Sequence, residues 1–338
     1  MKNLTIDKAQ AYLITDRLTR KYFCGIDITD GFLVIAKEKT YFVDARYFYA
    51  AKENLSKLSI NCVLYENESS IKKFLISLGV KELFIDFDKC TVNDYFTFKN
   101  MGFEVLDGSK NIALVKAIKS ESEIEFIRDN IQPNMTLLEI RNMCETKMME
   151  LGADSFWYWD VGAFVFSGEE TTLSVSGKEY STSHRVIAEN DIITIDLSPQ
   201  NGDIWGDYAR TIIIENGKVV ECDNVSNDEW KNGLLMEEYL HQEMCKFVIP
   251  KTTFEELYYY INSVIEEKGY INLDFMGNLG HSIVKQKNDR VYIEKGNKIA
   301  LEDVSYFTFE PHISVPNSKY GYKRENIYYF DNGAIKEL

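Results

Sequence analysis

The sequence is short of positive charge, has no long apolar run and has no paired cysteines, and each shortage closes off a class of function. Its 338 residues carry 38 Lys and Arg against 53 Asp and Glu, a net charge of -15. Phosphate backbones call for clustered cations, so nucleic acid is excluded as a partner and an anionic membrane surface is disfavoured. No apolar stretch approaches the roughly 18 residues of a membrane span. Met1-Lys2-Asn3-Leu4-Thr5-Ile6-Asp7 lacks the basic-then-apolar form of a signal peptide. The six cysteines, Cys24, Cys62, Cys90, Cys144, Cys222 and Cys245, are scattered, with no CxxC pair and no metal-ligand spacing. They read as reduced thiols, and the expected location is the cytoplasm.

With 45% hydrophobic and 13% aromatic residues, the chain can bury sizeable cores, and its length suits two domains. Residues 1–115 alternate short apolar runs with helical stretches. Phe32 to Ala36, Thr40 to Asp44, Cys62 to Tyr65 and Glu82 to Asp86 read as strands, and Ser70 to Leu78 as a helix. That pattern predicts a small α/β domain. It contains no phosphate loop, no GxGxxG and no triad motif, so its expected task is to cover substrate or to dimerise. Asn111 to Lys119 is the expected junction, after which Ser120 caps a helix through Arg128. Residues 116–338 form the second domain.

An internal repeat organises that second part. Pro133, Thr136, Glu139 and Gly152 recur as Pro250, Thr253, Glu256 and Gly269, with 19 residues from Pro to Gly each time. Thr followed three residues later by Glu is a capping box, and Gly closes a helix. A duplicated α/β unit builds a two-fold related sheet with its site at the seam. Tyr258-Tyr259-Tyr260 on the second repeat helix reads as packing and surface.

The acids fall on strands at that seam. Ile192 to Ser198 alternates with period two, placing Thr194, Asp196 and Ser198 on one face and Ile193, Ile195 and Leu197 on the other. Pro199 to Gly202 supplies turn residues. The chain then returns through Asp207 to Ile214, so Asp196 and Asp207 can meet on neighbouring antiparallel strands. Tyr306, Thr308 and Glu310 share a strand face, Glu325 opens another strand, and His281 follows Gly280 in a loop.

Together these residues resemble the pita-bread metallopeptidases: aminopeptidase P, prolidase, methionine aminopeptidase and the related creatinase. Asp196, then Asp207-Tyr208-Ala209-Arg210-Thr211 beginning 11 residues later, is similar to the family's first Asp and Asp-x-x-Arg-Thr. Gly280-His281 resembles its Gly-His. Glu310-Pro311, 29 residues after the His, resembles its Glu-Pro strand. Arg324-Glu325-Asn326 resembles its final Arg-x-Glu element, with the Arg directly beside the Glu. Asp44-Ala45-Arg46-Tyr47 resembles the N-terminal domain of the larger members.

The resemblance implies an α/β (α+β) architecture, a creatinase-like domain followed by a pseudo-two-fold pita-bread domain. It implies two divalent metal ions, Mn²⁺ foremost, with Co²⁺, Fe²⁺ or Zn²⁺ as alternatives. Carboxylates with one imidazole suit such ions. By the same resemblance Asp196 chelates one ion, His281 and Glu310 hold the other, and Asp207 and Glu325 bridge them. A metal-bridging hydroxide is the implied nucleophile, and Glu310 the implied proton shuttle. Arg210 and Arg324 are expected as structural ion-pair partners of these acids. A homodimer is also implied.

Departures concern the substrate histidines. Where the family carries them, this sequence has Glu179 and Asn288. His184 and His312 are the candidate replacements. The implied function is an Xaa-Pro aminopeptidase or dipeptidase acting on short peptides. The alternatives are a small-amide C–N hydrolase, as creatinase and ectoine hydrolase are, and a non-catalytic peptide-binding module.

Overall fold

The computed structural model describes all residues except 1–3, 5, 110, 113–114, 116–119, 203 and 285, together with the side chains of 120–124. Most of the expected junction, and the expected cap at Ser120, therefore lie outside the described residues. The chain divides into two compact units, Met1–Lys116 and Ala117–Leu338.

The first unit is built on strands β1 (Gln10–Ile14), β2 (Phe32–Ile35), β3 (Lys39–Val43), β4 (Asn61–Leu64), β5 (Glu82–Ile85) and β6 (Glu104–Asp107). They form one mixed sheet in the order β4-β3-β2-β1-β5-β6. Each strand expected from the sequence is present, within a residue at either end. Its period-two pattern feeds two cores. Tyr12, Ile14, Leu33 and Tyr41 face helices α1 (Arg17–Cys24) and α2 (Phe48–Lys57). Ala11, Leu13, Val34 and Phe42 face α3 (Glu68–Ser77) and α4 (Val92–Asn100).

The second unit repeats a motif. Helix α5 (Ser120–Asn130) leads into α6 (Leu137–Glu150). Strands β7 (Ser155–Phe156), β8 (Ala163–Ser167), β9 (Asp191–Leu197), β10 (Pro199–Asn201), β11 (Ile204–Trp205), β12 (Tyr208–Glu215) and β13 (Lys218–Val220) follow. After α7 (Asp228–Phe247) and α8 (Phe254–Glu267) come β14 (Ile271–Asn272), β15 (Ser282–Ile283), β16 (Tyr306–Phe309) and β17 (His312–Ser314). Strands β18 (Tyr322–Lys323), β19 (Asn326–Asp331) and β20 (Ala334–Glu337) end the chain.

Two four-stranded antiparallel sheets, β13-β12-β9-β8 and β20-β19-β16-β15, have the same internal order. Helices α6 and α8 lead into them with matching capping boxes, Thr136 with Glu139 and Thr253 with Glu256. Both helices close alike, with Gly152 at φ 102° and Gly269 at φ 82°. The two halves join where Glu325 N donates to Ala209 O at 2.9 Å and Lys323 N donates to Thr211 Oγ1 at 2.8 Å.

One expected turn differs. Pro199–Asn201 is a strand, paired with β7 and β11, and the reversal falls at Gly202 with φ 58°. Pro199 is tolerated in this central strand because it is its first residue, where a missing N–H breaks no ladder within the strand. Side-chain packing explains why this short strand forms: the Trp157 and Trp205 rings lie 4.3 Å apart across the same region. All six cysteines are free thiols, with Cys24 and Cys144 buried. No described helix is long and apolar enough to cross a membrane.

Candidate metal centre

The alternation of β9 sets the first ligand. Ile193, Ile195 and Leu197 are buried with Leu137, Ile140 and Cys144 of α6 in one apolar cluster. Each such burial contributes about 2 kcal/mol, so a one-residue slip that drove Asp196 into this core is strongly disfavoured. Thr194, Asp196 and Ser198 therefore line a cavity of about 590 Å³ on the opposite face. Asp207 sits just before β12, whose Ala209 pairs with Asp196. In the second half, Glu310 lies just past the end of β16 where Asp196 lies one residue before the end of β9, and Glu325 precedes β19 as Asp207 precedes β12. Thr308 repeats the role of spacing: it lies two residues before Glu310 and donates to its Oε1 at 3.3 Å.

The sequence-derived ligands converge. Asp196, Asp207 and Glu325 each offer an oxygen within 4.8 Å of the others. His281 Nε2 lies 3.4 Å from Asp207 Oδ2 and 3.8 Å from Glu310 Oε1. Gly280 is required beside it, since φ is 135° and a Cβ there would stand 2.3 Å from Thr308 O. His281 Nδ1 lies 3.1 Å from Ser282 O, which only accepts, so Nδ1 donates there and Nε2 is the nitrogen turned toward the acids. Trp157, Trp205 and Tyr292 pack around the ring.

A cation is the missing complement of this arrangement. Both Glu325 oxygens are buried and have no hydrogen-bond partner among the described residues. Burial first, and then Asp207 and Glu310, push the Glu325 carboxyl well above its usual range. Burial raises Asp207 to about 7. Such a set is costly when ionised and unpaired. Hard or borderline dications would satisfy it with oxygen and one imidazole nitrogen, so the residues present fit divalent metal.

Lys323 was not foreseen. Its ammonium lies 2.6 Å from Asp196 Oδ2 and 2.9 Å from Glu310 Oε2. Burial disfavours its charge, but Asp196 and Glu310 outweigh that and raise its pKa well above normal. In turn, burial works upward on Glu310, but Lys323 and His281 bring its carboxyl below the ordinary value. The signal was the period-two spacing from Lys323 to Glu325. The two arginines expected as partners of the acids do otherwise. Arg210 donates to the carbonyls of Ala209 and Glu325 and to Asn326 Oδ1, and Arg324 pairs with Glu238. Both side chains brace the seam through backbone and helix rather than the ligand carboxylates.

The candidate substrate histidines separate. His312 is buried and lines the cavity, but it lies on β17, in a different sheet from β16, because Pro311 interrupts the run. Its Nε2 lies 2.7 Å from Thr171 O. Burial, with Lys323 adding, lowers its pKa to about 4. His184 is exposed and is not among the cavity-lining residues. Glu179 lines the cavity, and Asn288 is exposed outside it. Tyr258 and Tyr260 donate to Met276 O and Glu243, consistent with packing and surface.

Comparison with known proteins now bears on this geometry. Residues 115–332 match metallopeptidase family M24, and residues 2–115 match the creatinase/prolidase N-terminal domain. The chain belongs to metallopeptidase family M24. It is 23% identical, over 93% of its length and 88% of the relative's, to a Mycoplasma genitalium protein whose name assigns it to the Xaa-Pro aminopeptidases. Its fold is similar to Xaa-Pro dipeptidase from Bacillus anthracis, at 21% identity, TM-score 0.51, covering 97% and 92% of the two chains. It is also similar to X-Pro aminopeptidase from Thermotoga maritima, at 20% identity, TM-score 0.52 and the same coverage. The M24 metallopeptidases use divalent metal ions, in keeping with the donor set described above.

Proposed function

We propose that this M24 member is an Xaa-Pro peptidase of short peptides, using two divalent metal ions held by Asp196, Asp207, His281, Glu310 and Glu325. The observation that carries this reading is the pair of partnerless, buried Glu325 oxygens facing Asp196 and Asp207. Manganese is the proposed metal. When bound, such ions polarise a scissile carbonyl and lower the pKa of bound water.

The chain's own residues do the rest. Asp207 and Glu325, one from each half, share the ligand cluster, their spacing set by the backbone bond from Glu325 N to Ala209 O. His281 presents Nε2, its orientation set by the bond to Ser282 O. Glu310 receives and returns a proton beside the scissile nitrogen, its carboxylate oriented by Thr308 and Lys323. The aromatic wall of Trp157, Tyr158 and Tyr292 offers apolar faces suited to a proline ring. Arg290 lies over the Trp157 ring at 4.5 Å and donates from Nε to Lys287 O. That geometry leaves the ends of its guanidinium for the carboxylate of a short substrate.

The cytoplasm is the proposed location and a homodimer the proposed assembly. The creatinase-like reading, a small-amide hydrolase, is favoured by the substitutions at Glu179 and Asn288. Hydrolysis of Xaa-Pro dipeptides, longer Xaa-Pro peptides and creatine-like amides by protein loaded with each metal separates these readings. Cleavage of the peptides is expected. Turnover of the small amides alone would overturn the peptidase reading.

A further inference from the structure

Asp274 is an acid on the cavity wall outside the ligand cluster. It lies in the short loop between β14 and His281, where Met276 takes φ 56°. Its Oδ1 accepts from Ser174 Oγ at 2.9 Å and from Phe275 N at 2.6 Å. Ser174 belongs to the first half of the duplicated unit, so the carboxylate is fixed from both sides of the cleft. No described lysine, arginine or histidine forms an ion pair with it. Lys323, the cation it feels, is committed to Asp196 and Glu310. Exposed Leu173, Phe275 and Met276 flank it at the cavity's lip.

We infer that Asp274 is a specificity-determining residue that receives a cationic group of the substrate, an ammonium or guanidinium, beside the scissile bond. The inference rests on the peptidase reading of this site. A carboxylate already held at Oδ1 by Ser174 and Phe275, with no hydrogen bond to Oδ2 among the described residues, needs little further ordering when a cation arrives. The apolar lip suits the methylene stem of a lysine or arginine side chain. The cation can come from that side chain or from the free amino terminus.

Binding to Mn²⁺-loaded protein, followed by calorimetry, separates the two sources. Lysinamide against norleucinamide isolates the side-chain cation. Norleucinamide against N-acetylnorleucinamide isolates the amino terminus. In at least one arm the cationic ligand should bind about tenfold more tightly, and Asp274→Asn should remove that advantage. Asn keeps an Oδ1 acceptor for Ser174 and Phe275, so the loop is retained. Equal binding in both arms of the wild type, or an advantage that survives Asp274→Asn, overturns the inference. Peptide cleavage is scored separately: a protein that cleaves no peptide overturns the peptidase reading, while the binding arms still decide the role of Asp274.

Discussion

Lys323 Nζ stands 2.6 Å from Asp196 Oδ2, joining a β18 residue of the second half to a β9 residue of the first. The same ammonium reaches Glu310, the counterpart of Asp196 in the repeated sheet. A permanent cation therefore pins the two equivalent strand ends together. Removing one partner of a buried pair strands the other charges, at a cost of about 3 kcal/mol. Lys323→Met should destabilise the metal-stripped protein by about that amount, and less when metal is present to neutralise the acids. Denaturant unfolding with and without chelator measures both. Equal losses in the two conditions would show that Lys323 acts by packing and not by charge.

Metal itself should stabilise the fold, because a ligand that binds only the native state shifts unfolding by mass action. At a hundredfold excess over Kd the gain is about 2.7 kcal/mol, or roughly 5–10 °C for a unit of this size. Adding Mn²⁺, Co²⁺, Fe²⁺ or Zn²⁺ to stripped protein should raise the Tm accordingly. Asp207→Asn and Glu325→Gln should abolish the rise and lower metal content measured by elemental analysis. Full occupancy in both variants would remove these acids from the ligand set.

Much of this was legible in the sequence because it rests on periodicity. The alternation from Ile192 to Ser198 gave the face of Asp196, and the paired Thr-x-x-Glu boxes gave the duplicated helices. Lys323 was hidden because the adjacent Arg324 drew attention as the cation of that motif. In the fold Lys323 and Glu325, two residues apart, turn to the acid cluster while Arg324 between them turns to Glu238 on α7. Asp274 and Arg290 lie on loops, where no period announces direction. Their place depends on long-range contacts such as Ser174 with Asp274, 100 residues apart.

The pH response of stripped protein follows from Asp207. Burial lifts its folded-state pKa to about 7, above the ordinary carboxylate value. A raised acid holds its proton more firmly when folded, so its contribution is intact at low pH and lost as pH rises from about 4 to 7. Glu325 shifts in the same direction. Stripped Asp207→Asn should therefore gain stability relative to stripped wild type as pH goes from 5 to 7.5. Chemical denaturation at a series of pH values tests it. A stability difference that stays flat or reverses would mean that the buried carboxyl is not protonated at the lower pH.

The two histidines should behave differently, and neither as a general acid. His184 is exposed and away from the cavity lining, so His184→Ala should leave kcat/KM within about twofold, the usual result for a surface site. His312 Nε2 is held by Thr171 O, and a carbonyl accepts only, so that nitrogen carries the proton and Nδ1 is bare. Its pKa near 4 keeps the ring neutral at physiological pH. The ring can thus accept a bond from a substrate N–H and anchor the segment at Thr171, but it cannot deliver a proton as an imidazolium. His312→Ala should lower kcat/KM about tenfold, as lost positioning does, with metal content unchanged. The pH profile should keep its shape, since no ionisation between pH 6 and 8 belongs to this ring. Loss of a limb of that profile in His312→Ala would make the ring a proton donor and contradict the geometry. A sharp fall in His184→Ala at full metal content would place that loop over the cleft during turnover.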